Sequence, residues 1–108
     1  MIEKTFLKIK GKKMARVTFS LPQTIWAAAI YLVGDFNNWN RTSHPLRQDS
    51  AGRWTITVDL APGHAYQFRY LVDDEWMNDN QADAYATNQY GTHNFIVVTD
   101  PNYIKYAG

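Results

Sequence analysis

Two tryptophans lie in polar, amide-rich stretches where a packed core does not require them. Trp39 ends the segment Gly34-Asp-Phe-Asn-Asn-Trp39, and Trp76 follows the turn-forming pair Asp73-Asp74. An indole is a flat apolar plate with one N–H donor, and asparagine amides both donate and accept hydrogen bonds. This combination suits a polar ligand with flat apolar faces, such as a sugar ring or a nucleobase.

Further polar groups could complete such a site. Arg69 is predicted to point outward from a strand one hairpin before Trp76, and residues 88–94 combine amides with an aromatic ring. Stacking plates, amides and one cation match a glucan chain, which presents CH faces and hydroxyl groups. Tryptophans are buried on average, so the spacing alone leaves open that Trp39 and Trp76 only close the ends of the domain.

Catalytic patterns are weak in this sequence. The acids Asp73, Asp74, Glu75 and Asp79 cluster around a hairpin, where carboxylates are commonly turn formers. A glycosidase needs two carboxylates facing one cleft, and a serine hydrolase of the Gly-x-Ser-x-Gly type needs a motif that the sequence lacks. Metal-ligand spacing of histidines and glycine-rich phosphate loops are also missing from the sequence. We therefore expect no catalytic residue, no metal site and no cofactor.

Composition indicates one globular domain. The chain has 108 residues, 45% of them hydrophobic, and it contains no cysteine. No secretory signal and no apolar run of about 20 residues are present, so a cytoplasmic protein without a membrane partner is expected. The net charge of +1 gives no overall attraction to nucleic acid. Six cations and one acid in residues 1–16 indicate an edge strand protected by lysines.

Alternating apolar and polar residues predict the strands. A short connecting strand is expected at His44–Leu46, and Trp76 is expected on the second strand of a hairpin. A long ordered loop is expected from Met77 to Tyr90. The Trp26–Val33 strand should place Ile30 and Leu32 inward, with Gly34 supplying an unusual backbone conformation at its end. The main predicted strands are Thr5–Lys10, Arg16–Leu21, Trp26–Val33, Arg53–Leu60, Ala65–Val72 and His93–Thr99.

The period of two predicts to which side of the sheet each side chain points. In Ala65–Val72 the alternation sends Gln67, Arg69 and Leu71 to one outer face. For His93–Thr99 the pattern does not decide which set of side chains faces the core. No window has a helical period, so seven to eight short strands predict an all-β fold, an antiparallel β-sandwich. We expect a single domain over residues 1–108, with a core at 15–99, an N-terminal strand or arm at 1–14 and a tail at 100–108.

Five segments together resemble a known family. The chain is similar to the isoamylase-type early-set domains, the family 48 carbohydrate-binding modules, which include the glycogen-binding domain of the AMP-activated protein kinase β subunit. It looks most like the small standalone bacterial members, and the resemblance covers residues 15–99 in order. The matching segments are Tyr31-Leu-Val-Gly-Asp-Phe-Asn-Asn-Trp39, Leu60-Ala-Pro-Gly63, Tyr66-Gln-Phe-Arg-Tyr-Leu-Val-Asp73, Trp76 and Asn88-Gln-Tyr-Gly-Thr-His-Asn94.

The resemblance implies an immunoglobulin-like sandwich that binds α-1,4-glucans, such as glycogen, starch and maltooligosaccharides, without catalysis. In the kinase domain two tryptophans, a lysine, a leucine, a threonine and an asparagine contact the ligand. The tryptophans fall on Trp39 and Trp76, the lysine on Arg69, and the leucine on Tyr90. The threonine and the asparagine fall on Thr92 and Asn94. Arginine for lysine and tyrosine for leucine are departures that change hydrogen-bond geometry and side-chain bulk.

Two other functions remain open at this level. The first is a protein-interaction or regulatory module that docks on a glycogen-metabolising enzyme or a kinase-like partner, because the basic N-terminal strand could add to a partner's sheet. The second is a small glycosidase or a detached piece of one. Many domains of this family accompany branching or debranching enzymes and have degenerate sugar sites, and fold alone does not settle function.

Overall fold

The computed structural model describes residues 2–77, 83–87 and 93–103, and within these ranges it contains nine strands and no α-helix. Accordingly, no helix in the described ranges is long and apolar enough to cross a membrane. The strands are β1 (Ile2–Ile9), β2 (Lys12–Leu21), β3 (Ile30–Gly34), β4 (Arg47–Gln48), β5 (Trp54–Leu60), β6 (Ala65–Val72), β7 (Glu75–Met77), β8 (Ala84–Thr87) and β9 (His93–Val98).

The strands form two antiparallel sheets, which confirms the predicted sandwich. The first sheet has the order β1-β2-β5-β4, and the second has β3-β6-β9-β8 with β7 also paired to β6. The strand count exceeds the seven to eight expected because β4, β7 and β8 are too short to show a period. The prediction of a loop from Met77 to Tyr90 is wrong at β8, where Ala84 to Thr87 pair with β9.

The basic N-terminal segment forms the edge strand β1, as its lysines predicted. Lys4 is not a purely solvated charge, since its ammonium group lies 2.6 Å from the carboxylate of Asp83. The same carboxylate accepts the backbone N–H of Val98 at 2.8 Å. This contact joins the edge of the first sheet to the second sheet.

The core lies between the two sheets and consists mainly of alternate residues from β2, β3, β6 and β9. Phe19 of β2 meets Phe68 of β6 edge to face, with ring centroids 5.1 Å apart. In β9 the buried residues are Phe95 and Val97, which settles the facing that the alternation left open. Trp54 is also buried, and its indole N–H donates to the carbonyl of Ile25.

The predicted start of β3 needs correction. The strand begins at Ile30 and not at Trp26, because the backbone of Ala28 and Ala29 instead binds the side chain of Asp73. Ile30 and Leu32 point into the core as predicted, and Val33, which pairs with Arg69 on the opposite face, is fully buried as well. Part of the outer face of the second sheet is therefore shielded from solvent.

Candidate functional site

The outer face of the second sheet carries the polar and aromatic residues of interest. Phe68 and Tyr70 of β6 are buried in the core, so Arg69 and Leu71 point to the opposite, outer face. Trp76 of β7 lies directly opposite Leu71 and therefore shares this face. Trp76 is 37% exposed, whereas Arg69 is only 9% exposed. A partly open indole thus stands beside a largely buried cation.

Trp39 reaches the same sheet through Asp35. The indole N–H of Trp39 donates to Oδ1 of Asp35 at 3.0 Å, and the backbone N–H of Gln67 donates to Oδ2 at 2.7 Å. The backbone N–H of Trp39 also donates to the carbonyl of Gly34. One carboxylate therefore fixes the indole ring to β6, across a sequence separation of 32 residues.

The turn between β3 and Trp39 has an unusual backbone. A short 3-10 helix, Asp35–Asn37, is followed by Asn38 and Trp39 in the left-handed region, with φ values of 54° and 57°. Such values are rare for a tryptophan and persist only where surrounding contacts hold them. Asn37 helps to stabilise this turn, because its side-chain amide accepts a hydrogen bond from Gly34 N–H and donates one to the Leu32 carbonyl.

Gly34 is needed for a different reason from the one that the sequence suggested. Its φ is −171°, an extended conformation open to any residue, so no special backbone freedom is used. A Cβ at this position would lie 2.6 Å from the carbonyl oxygen of Gln67 and 2.9 Å from Cβ of Phe68. The glycine allows the end of β3 to lie close against β6, which is where Asp35 meets Gln67.

Two guanidinium groups pack on the indole of Trp76. The Cζ atom of Arg69 lies 5.1 Å from the ring centroid, and that of Arg41 lies 5.2 Å from it. The Nε atom of Arg69 is buried and has no hydrogen-bond partner among the described residues. Burial lowers the pKa of the Arg69 guanidinium. A buried donor of this kind is costly unless a ligand or solvent molecule satisfies it.

Of the three other predicted site residues, one lies within the described ranges. Asn94 lies on the outer face, where its amide donates to Oε1 of Gln67 at 3.0 Å. Tyr90 and Thr92 lie outside the described residues. Within the ranges that the structure describes, no cluster of three or more histidines and acids could hold a metal ion.

Strand β6 orders these groups along one line. Trp39 is anchored at Gln67, Arg69 follows two residues later, and Trp76 is paired with Leu71 after another two. At about 3.3 Å per residue, the anchor points of the two tryptophans are about 13 Å apart. This arrangement offers two indoles, with cationic and amide donors between them, to an extended ligand rich in hydroxyl groups.

Sequence reasoning missed two members of this surface. Asp35 carried only the signal of a turn former, and its role as an anchor depends on β6. Arg41 gave no signal, because its contact with Trp76 is set by the path of the loop after Trp39. That loop follows the edge of β3, where Pro45 bridges to Tyr31.

The fold and this surface together define a β-sandwich binding module with an aromatic outer face. Residues 17–104 match the family described as "Glycogen recognition site of AMP-activated protein kinase". The chain therefore belongs to this family of glycogen-recognition domains, as its motifs indicated.

Similar proteins fall into two groups. The chain is 37% identical over 68 residues to 5'-AMP-activated protein kinase subunit beta-1 of Sus scrofa, covering 63% of this chain and 52% of the subunit. It is 34% identical over 80 residues to the 1,4-alpha-glucan branching enzyme GlgB of Oceanobacillus iheyensis, covering 72% of this chain and 12% of the enzyme. A branching enzyme of Dictyostelium discoideum is 62% identical over 32 residues, 30% of this chain and 5% of the enzyme. The matches thus span about half the length of these relatives or less.

Proposed function

We propose that this domain binds α-1,4-glucan chains on the outer face of its second sheet and performs no catalysis itself. The observation that carries the proposal is Trp76, a partly exposed indole flanked by Arg69 and Arg41 on the outer sheet face. The membership of the chain in a glycogen-recognition family supports the same ligand class.

Each proposed residue has a distinct part. Trp76 and Trp39 stack on the apolar faces of glucose rings, while Arg69 and Asn94 hydrogen-bond to hydroxyl groups. The contact between the Arg69 guanidinium and the Trp76 ring supports this role, since it places the cation beside the stacking surface. Tyr90 and Thr92 are assigned to the site from the family resemblance, Tyr90 packing beside the glucan and Thr92 assisting.

The direct test is calorimetry of the purified protein with maltoheptaose, and affinity electrophoresis in gels that contain glycogen. We expect heat release and retarded migration, with cellohexaose, a β-linked glucan, as the control for linkage. Absence of both signals with the α-glucans would reject the proposed function.

Removing the anchor of Trp39 should weaken binding. In Asp35→Asn one of the two acceptor oxygens becomes an NH₂ group that faces an N–H donor, from either Trp39 or Gln67. We expect affinity for maltoheptaose to fall about three- to tenfold, the equivalent of one hydrogen bond of about 1 kcal/mol. Calorimetry measures the affinity, and urea unfolding reports the accompanying loss of stability.

The control for this change is Asp59→Asn. Asp59 is an exposed acid of the first sheet that binds Arg16 and lies outside the proposed site. If Asp35→Asn and Asp59→Asn bind glucan equally well, Asp35 does not position Trp39 for the ligand.

Arg41 should contribute less than the tryptophans. Arg41→Ala removes one guanidinium from the Trp76 ring, and an exposed cation–π contact is worth about 0.5–1 kcal/mol. We therefore expect a two- to fivefold weaker affinity in the same calorimetric experiment. Arg47→Ala, in β4 of the first sheet, is the matched control. Unchanged affinity of Arg41→Ala would remove Arg41 from the site.

A second candidate function is protein docking at the N-terminal hairpin. A groove of about 340 Å³ is lined by Phe6, Leu7, Lys8, Lys13, Met14, Pro62 and Pro101, next to the edge strand β1. An acidic partner with apolar side chains would complement it. Pull-downs with the wild type and with Lys8→Glu/Lys13→Glu would test this function, and equal recovery of the same proteins would contradict it.

The relatives suggest the setting of the domain. Several are glucan-branching enzymes and others are kinase subunits, so a glycogen-metabolising enzyme or a kinase-like partner is part of the proposal. A cytoplasmic location and a single domain over residues 1–108, with its core at 15–99, likewise remain predictions from the sequence.

A further inference from the structure

Among the large hydrophobic residues that the structure describes, Trp26 is the most exposed, with 93% of its surface accessible. It lies in the loop of residues 22–29, between β2 and β3. Burying a large apolar side chain contributes about 2–3 kcal/mol to folding, and Trp26 contributes almost none of this. Its presence in the loop is therefore not explained by stability.

The loop holds Trp26 in a defined place. On one side, Ile25 N–H donates to the Pro22 carbonyl, and the Ile25 carbonyl accepts the indole N–H of the buried Trp54. On the other side, the N–H groups of Ala28 and Ala29 both donate to the carboxylate of Asp73. The Asp73 N–H returns a hydrogen bond to the Ala29 carbonyl. Because the backbone on both sides of Trp26 is held, a ligand contact has to order only the indole side chain and not the whole loop.

Asp73 places this loop on the line of the proposed glucan site. Along β6 and its turn, Gln67 holds the anchor of Trp39, Leu71 pairs with Trp76, and Asp73 binds the Trp26 loop. The three points follow one another over about 20 Å. Trp26 is two residues from Ala28, so its backbone lies within about 7 Å of this anchored end.

The side chains of the Trp26 loop suit a neutral ligand. Residues 22–29 are Pro-Gln-Thr-Ile-Trp-Ala-Ala-Ala and contain no charged side chain. Gln23 and Thr24 are exposed and offer amide and hydroxyl groups. The three residues after Trp26 are alanines, whose small side chains do not cover the indole. A flat apolar plate beside neutral hydrogen-bonding groups matches a sugar ring, and the nearby acids Asp73, Asp74 and Glu75 disfavour an acidic partner.

We propose that Trp26 is an outer stacking position for the same α-glucan chain, reached only by chains long enough to extend past Trp76 toward Asp73. This inference rests on the proposed function and adds a dependence on chain length to it. A short oligosaccharide contacts Trp39, Arg69 and Trp76, and a longer one also contacts Trp26.

The test compares Trp26→Ala with the wild type by calorimetry, using maltotetraose and maltodecaose as ligands. We expect the affinity for maltodecaose to fall at least threefold and the affinity for maltotetraose to stay unchanged. The melting temperature should also stay unchanged, because the indole makes little contact with the fold. Phe6→Ala removes an exposed aromatic ring of β1, outside the line, and should alter neither affinity.

Hydroxyl-radical footprinting of the wild-type protein gives an independent readout. Maltodecaose should protect Trp26 from oxidation, and maltotetraose should not. If Trp26→Ala binds both ligands as the wild type does, the outer stacking position is refuted while glucan binding stands. This is the result expected if Trp26 contacts a partner protein instead of the glucan. If the wild type binds neither ligand, glucan binding itself is refuted.

Discussion

Replacing Trp76 by alanine is expected to abolish most glucan binding, with at least a tenfold loss of affinity, or about 1.4 kcal/mol. The indole provides a partly open apolar surface on the outer face, and two arginines pack against it. Without it, the ligand loses one of its two stacking surfaces, and Arg69 and Arg41 lose the ring against which they pack. The affinity is measured by calorimetry with maltoheptaose and by migration in glycogen gels.

Stability separates a binding effect from a folding effect in this variant. Trp76 is in a three-residue strand and is 37% exposed, so its removal should lower the melting temperature only modestly. Phe6→Ala, at 39% exposure on the first sheet, removes a similarly exposed aromatic ring and should leave glucan affinity intact. A Trp76→Ala protein that still binds maltoheptaose within a factor of two of the wild type would contradict the proposed site.

Gly34→Ala is expected to destabilise the fold and disturb the position of Trp39 together. The added methyl group would meet the Gln67 carbonyl oxygen at 2.6 Å and Phe68 Cβ at 2.9 Å, both on the strand that β3 pairs with. Overpacking of this kind costs about 1–3 kcal/mol, because β3 or β6 must move. The free energy of unfolding in urea measures the cost.

A comparison of two glycines isolates the cause. At Gly11 the space around an added Cβ is empty, but φ is +80° and disfavours a side chain. Gly11→Ala should therefore cost only about 1 kcal/mol through backbone strain and should leave glucan affinity unchanged. Gly34→Ala should weaken glucan binding as well, since the Gly34 carbonyl accepts the Trp39 N–H. Equal stability of Gly34→Ala and the wild type would show that β3 and β6 tolerate the methyl group.

The fold was largely predictable where strands are long enough to show a period. β5 and β6 form where the alternation predicted strands, and Trp54, Leu60, Phe68 and Tyr70 are buried, although in β6 Arg69 and Leu71 of the opposite face are buried as well. The turn at Asp73-Asp74 was also predicted, and both residues have positive φ values. Strands of two to four residues could not be predicted, because their pairing depends on neighbours rather than on a local pattern.

The sequence proposed residues for the candidate site but not their organisation. Motif resemblance selected Trp39, Arg69, Trp76 and Asn94, and the structure places Arg69, Trp76 and Asn94 on one face, with Trp39 bound to the adjoining end of β3. It did not reveal that Arg69 is largely buried, since a period of two assigns a side chain to a face but not its exposure there.

By itself, the sequence determined the class of fold, the family and which aromatic and amide residues are candidates for the site. These follow from local periods and short motifs, in which neighbouring residues carry the information. Only the tertiary structure decided that Asp35 fixes Trp39 to β6, that Arg41 joins Arg69 on Trp76, and that Gly34 is needed for space. Each of these depends on two distant segments packing at a particular distance, and no local pattern encodes that distance.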